Sequence, residues 1–183
     1  MARVCHKTRE RTGLSMRLSV DKINDKSPYW VIQLDDMQFR FKTKNGIIYR
    51  VGFYPDTFFM PGKAYHFYIT NVGDERPPKD SNVFKVISLV LEEFFRHDTS
   101  VMLYICDPKD HRESIRAGLY KRWFDNYKQK DSLILRAVDI DFDGVIIYAG
   151  LIIRKDNPVC EPVLKSFDDF IRKAPSMYRV RPK

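Results

Sequence analysis

Five side chains in one short stretch have the types that chemistry needs. In YICDPKDHRESIRAGLYKRWF, Tyr104 to Phe124, an apolar run is followed by two carboxylates (Asp107, Asp110), an imidazole (His111) and two guanidinium groups (Arg112, Arg116). Two arginines at a helix start would clamp a phosphate or a carboxylate, because the free N–H groups and the dipole already favour an anion there. His111 adds an acid–base group, which works only with a substrate proton in hydrogen-bond reach. The carboxylates also have a structural account. Asp107 caps a helix, Pro108 takes its first position where a missing N–H is harmless, and Asp110 suits the positive helix end. On that helix, expected over about 108–128, Ile115, Leu119, Trp123 and Tyr127 form an apolar stripe flanked by Tyr120 and Phe124. Arg112 and Arg116 fall inside the stripe. Arginine is seldom buried unpaired, so either Glu92, Glu93, Asp56 or Asp139 holds them, or a bound anion does.

A second group is Asp139, Asp141 and Asp143 in DIDFDG. It imitates the opening of a calcium loop, but the twelfth position is Gly150 where a glutamate is needed, and VIIYAG continues as strand. On a strand Asp139 and Asp141 share one face, and a solvated hairpin face is expected. No metal and no cofactor are expected. His6, His66, His97 and His111 share no ligand spacing, and Cys5, Cys106 and Cys160 form no C-x-x-C pair. The chain has no phosphate-binding loop, no G-x-G-x-x-G after a strand, no H-E-x-x-H and no G-x-S-x-G.

The elements around these residues follow from periodicity. Trp30–Leu34 is a short strand, and Asp35-Asp36 a turn. Phe39, Phe41 and Thr43, then Tyr49, Val51 and Phe53, alternate on either side of Asn45-Gly46, which predicts a hairpin with a type I′ turn. Tyr65–Thr70 is a further strand. Phe84, Ile87, Leu91, Phe94 and Phe95, widened by Val83, Val86 and Val90, predict a helix capped by Asp80 or Ser81 and packed on a sheet. Val101–Cys106 is a buried strand. Leu133–Phe142 and Val145–Ile153 flank Asp143-Gly144 as a second hairpin, and Pro162–Lys173 is a last helix with Val163, Phe167, Phe170 and Ile171 on one face. The order predicts an α+β fold, a mostly antiparallel sheet covered by about three helices on one side.

Charge is unevenly placed. The formal net charge of the 183 residues is +8. Residues 1–26 carry seven Lys/Arg against three Asp/Glu, residues 154–183 eight against four, and the middle is balanced. This predicts a basic N-terminal arm over 1–27, with Leu14–Val20 able to add an edge strand. It also predicts one domain over 28–174 and a basic tail over 175–183. The first 20 residues hold no apolar signal core, and the longest apolar run, Val145–Ile153, falls short of the roughly 20 residues of a membrane span. A cytoplasmic protein without a membrane anchor is expected.

Two patterns resemble an uncharacterised bacterial family, DUF6169-like in its spacing. One is Phe41, Thr43, Gly46, Tyr49, Val51 and Phe53. The other is Tyr104, Ile105, Cys106, Asp107, Asp110, Arg112, Arg116, Leu119, Trp123 and Phe124. The resemblance spans about residues 28–150 and leaves out the last helix and the tail. It implies no assigned activity, and so transfers no catalytic residue. The expected function is a non-enzymatic interaction or accessory module with a protein partner. The alternative is a nucleic-acid-binding or -processing protein that uses the basic termini and an Arg112/Arg116 anion site.

Overall fold

A computed structural model describes residues 16–57, 64–73, 77–97, 99–106, 113–142, 144–173 and 178–182, the last five through their backbone. The strands are β1 (Val31–Gln33), β2 (Gln38–Lys42), β3 (Ile48–Pro55), β4 (Ala64–Asn71), β5 (Val101–Cys106), β6 (Leu133–Phe142), β7 (Val145–Arg154) and β8 (Tyr178–Pro182). They form one sheet in the order β1-β2-β3-β4-β5-β7-β6-β8. Every neighbouring pair is antiparallel except β4 and β5. Helix α2 (Ser81–Phe94) makes the crossover that this parallel pair requires. The remaining helices are α1 (Val20–Asn24), α3 (Glu113–Asn126) and α4 (Cys160–Lys173).

Alternation along the strands builds the core. Phe39, Phe41, Val51, Phe53 and Phe67 point to the face covered by Val86, Ile87, Val90 and Phe94 of α2. Phe53 stacks on Phe94 with ring centres 4.0 Å apart. Burying each such side chain is worth roughly 1.5–3 kcal/mol. Asp80 caps α2 as expected, accepting from Asn82 N (2.9 Å) and from the Tyr29 hydroxyl (2.6 Å).

The helices do not all lie on one side. Tyr120 and Trp123 of α3 join the α2 face, but Val163, Leu164 and Phe167 of α4 pack on the other face, against Val101, Leu103, Val138, Leu151 and Ile153. The strand β5 has apolar residues on both faces, and so needs cover on both. Helix α4 covers β5, β7 and β6 and reaches β4 at Ala64.

Three further expectations change. Leu14–Val20 adds no strand among its described residues. Ser19 starts α1 by accepting from Lys22 N, and Leu18 and Ile23 are buried in the core at 0% and 1% exposure. The first hairpin forms, but not through a type I′ turn on Asn45-Gly46. Thr43 N donates to Ile47 O (2.9 Å) and Gly46 N to Thr43 O (3.0 Å), so Lys44 and Asn45 are central and Gly46, at φ +82°, follows as the left-handed residue. The second hairpin pairs Phe142 with Val145 over a two-residue loop, with Gly144 at φ +84°. Finally, Tyr178–Pro182, read as tail, pairs with β6 as β8.

Candidate functional site

Asp107, Pro108, Asp110, His111 and Arg112 lie outside the described residues. Arg116 is described. It stands half-buried on α3, close enough to Cys106 and Tyr120 to act on both electrostatically. Cys106 ends β5 at 0% exposure. Burial pushes its thiol up to about 11, while Arg116 pulls it down and Glu113 pushes it up. Such a thiol is neutral at physiological pH and a poor nucleophile. Burial likewise raises Tyr104 and Tyr120, whose rings lie 4.7 Å apart.

The apolar stripe of α3 runs differently from the expectation. Tyr120 and Trp123 are buried, but Ile115 is 64% exposed. Two of the carboxylates expected for the arginines have partners among the described residues. Glu93, 3% exposed, pairs with Arg96 (2.8 Å) and accepts from Ser19 N (3.1 Å). Asp56 holds His66. Asp139 lies near Tyr104 and pushes its hydroxyl pKa up. Asp141 is part of the turn, accepting from Gly144 N at 2.9 Å. Between α3 and the β6–β7 ladder a groove of about 610 Å³ opens, walled by Ala117, Gly118 and Lys121 and floored by Ala137, Asp139 and Tyr148.

A second constellation escaped the sequence reading. Pairing Pro55 with Tyr65 in the β3–β4 ladder brings Asp56 beside Ala64 and within reach of His66. His66 Nε2 and Asp56 Oδ1 are 2.9 Å apart, and Asp56 is 3% exposed. Tyr54 stacks on the imidazole at 5.0 Å and 18°. His66 Nδ1 is buried with no hydrogen-bond partner among the described residues. A carboxylate-held imidazole suits a general base only where a proton donor reaches it; here the pair and the stack fix the orientation of a half-exposed Tyr54. The signal was the β3–β4 register, which spacing within one strand does not reveal.

The third feature is the sheet face opposite α2. Over β1 to β4 alternation sends Ile32, Gln38, Arg40, Lys42, Arg50, Tyr54, His66, Tyr68 and Thr70 to that face. Arg40 and Arg50 are direct cross-strand partners, and Thr70 continues their row. Both arginines and Lys42 are exposed. Among the described residues neither arginine has an ion-pair partner. The next row holds Tyr68, whose hydroxyl donates to Gln38 Oε1 (2.8 Å). The row beyond it holds Tyr54 and His66. Asp35 stands near Tyr68 and, after burial, is the main influence raising it; Arg50 opposes it.

Residues 79–169 match the model of DUF6169, a family of unknown function. No curated protein and no solved structure matches the chain. The matched stretch begins just before Asp80 and ends within α4, so it leaves out the first hairpin and takes in most of the last helix, unlike the span expected from the sequence patterns. It contains Cys106, Arg116 and the whole lining of the α3 groove, and excludes the face of β1 to β4. The match over 79–169 makes this chain DUF6169-like.

Proposed function

We propose that the chain is a non-enzymatic binding module whose partner docks on the open face of β1 to β4, and that this partner is anionic. One observation carries the reading: Arg40 and Arg50 sit opposite each other, exposed and without carboxylate partners among the described residues. Like charges directly opposite in a ladder are destabilising, so the pair is best explained by something outside the strands that uses it. The strand residues on this face add Lys42 and no carboxylate. Cys106 and Cys160 are buried free thiols, which fits a reducing, cytoplasmic setting. No helix among the described residues is long and apolar enough to cross a membrane. The test is retention of the full chain on immobilised heparin, a generic polyanion, against salt. Wild type elutes later than R40Q/R50Q. Equal elution of the two overturns the reading.

A second reading keeps the anion site at the start of α3, with Arg112 and Arg116 clamping a phosphate or carboxylate and the basic termini adding attraction. Its support is Arg116, half-buried next to Cys106 inside the matched stretch. Inorganic phosphate then raises the thermal midpoint of wild type but not of Arg116→Gln. An equal rise in both excludes it.

A further inference from the structure

We infer that the anionic partner of the β1–β4 face is single-stranded nucleic acid, an inference that rests on the docking reading above. The face presents cations and rings in successive rows. Arg40 and Arg50 form one row, Tyr68 lies in the next, and Tyr54 with His66 in the one after. Rows of this kind repeat every two residues along a strand, about 6.6–6.8 Å. Tyr54 is 50% exposed and lies 6.2 Å from Tyr68, ring centre to ring centre. Trp30, 75% exposed, precedes Val31, and alternation places it on the same side as Lys42.

Large exposed rings beside arginines that have no ion-pair partner among the described residues answer two chemistries at once. The guanidinium groups meet phosphates, and the rings offer flat apolar surfaces on which unpaired bases stack. An acidic peptide uses the first chemistry but has no systematic use for the second. A duplex keeps its bases stacked on each other and away from a flat sheet. The Tyr54 ring is held ready by its stack on His66, which Asp56 in turn fixes at 2.9 Å. A pre-oriented ring loses less freedom when a base settles on it. The opposite face of β2 and β3 is filled by Phe39, Phe41, Val51 and Phe53, so the platform is rigid.

The test is fluorescence anisotropy of the full chain with labelled oligothymidine, a duplex of equal length, and polyglutamate, each at low and high salt. Wild type binds oligothymidine more tightly than the other two. R40Q/R50Q lowers the slope of log affinity against log salt by about 1.4, for two phosphates at about 0.7 each. Tyr54→Leu, which keeps apolar bulk at an exposed position, weakens oligothymidine binding about tenfold. Three results overturn the inference: no binding of oligothymidine, equal or tighter binding of duplex or polyglutamate, or no effect of Tyr54→Leu. If polyglutamate binds best and R40Q/R50Q weakens it, docking of an anionic partner survives and nucleic acid does not. If R40Q/R50Q changes nothing, both readings fall, and the basic termini carry whatever binding is seen.

Discussion

Arg40 and Arg50 face each other across the β2–β3 ladder, exposed on the sheet face opposite α2, on strands that α4 does not cover. Folding alone does not favour this arrangement. Replacing one by glutamate creates a cross-strand ion pair, worth about 0.5 kcal/mol relative to the present repulsion. Arg50→Glu is therefore expected to raise the thermal midpoint by about 1–2 °C while weakening attachment to polyanions. Calorimetry and heparin retention measured on the same variant check this. A variant less stable than wild type, with retention unchanged, contradicts it.

Gly150 and Tyr104 are coupled by space. A Cβ built on Gly150 meets carbons of the Tyr104 ring at 2.3 Å and 2.4 Å. The ring is 4% exposed and has little room to retreat. Gly150→Ala should cost about 1–3 kcal/mol in urea unfolding. Tyr104→Leu should relieve most of that clash, so the two changes are non-additive by at least about 0.5 kcal/mol. Additive losses would show that the crowding is not between these two residues.

Glu93 ties the N-terminal segment to α2. Its carboxylate accepts from Ser19 N (3.1 Å) and pairs with Arg96 (2.8 Å), with Lys22 at 4.0 Å. Glu93→Ala leaves the Ser19 N–H without its acceptor, at about 1–3 kcal/mol. Amide exchange should speed up most across residues 18–23, where Leu18 and Ile23 are buried. Uniform acceleration over the whole sheet would show that Glu93 has no special hold on the segment.

Alkaline pH should loosen the fold. Burial raises the Cys106 thiol from an ordinary 9.0 to about 11 and Tyr127 from 10.0 to about 12, and it raises Cys160 as well. A group whose pKa is higher folded than unfolded binds its proton more tightly when folded. Its contribution is complete below the unfolded pKa and is lost as pH rises through the folded one. Urea midpoints should therefore hold up to about pH 9 and fall towards pH 11, and the fall should be shallower in Cys106→Ala. In the same range native Cys106 should resist iodoacetamide until unfolding begins. A midpoint that rises between those limits would reverse the sign of the account.

Much of this fold was legible because its signals are local. Phe39 and Phe41 alternate with Arg40 and Lys42, Gly46 and Gly144 punctuate the hairpins, and Asp80 announces α2. The losses were long-range. That α4 packs opposite α2 depends on β5 being apolar on both faces, and a helix pattern does not say which side of a sheet it joins. Leu18 and Ile23 sit in a charged stretch, and only their burial beneath distant residues reveals them as core. The open face was hidden by averaging. Summed along the chain the middle segment is neutral, yet alternation sorts Arg40, Lys42 and Arg50 to one side and leaves their balancing charges elsewhere. The Asp56–His66 pair needed the β3–β4 register.

The most direct measurement is the map of backbone amide shifts when unlabelled oligothymidine is added to the full, isotope-labelled chain. The account predicts changes concentrated on β2, β3 and β4, above all around Arg40, Arg50, Tyr54 and Tyr68, and lost in R40Q/R50Q. Changes confined to residues 154–183, or to the start of α3 around Arg116, would contradict it.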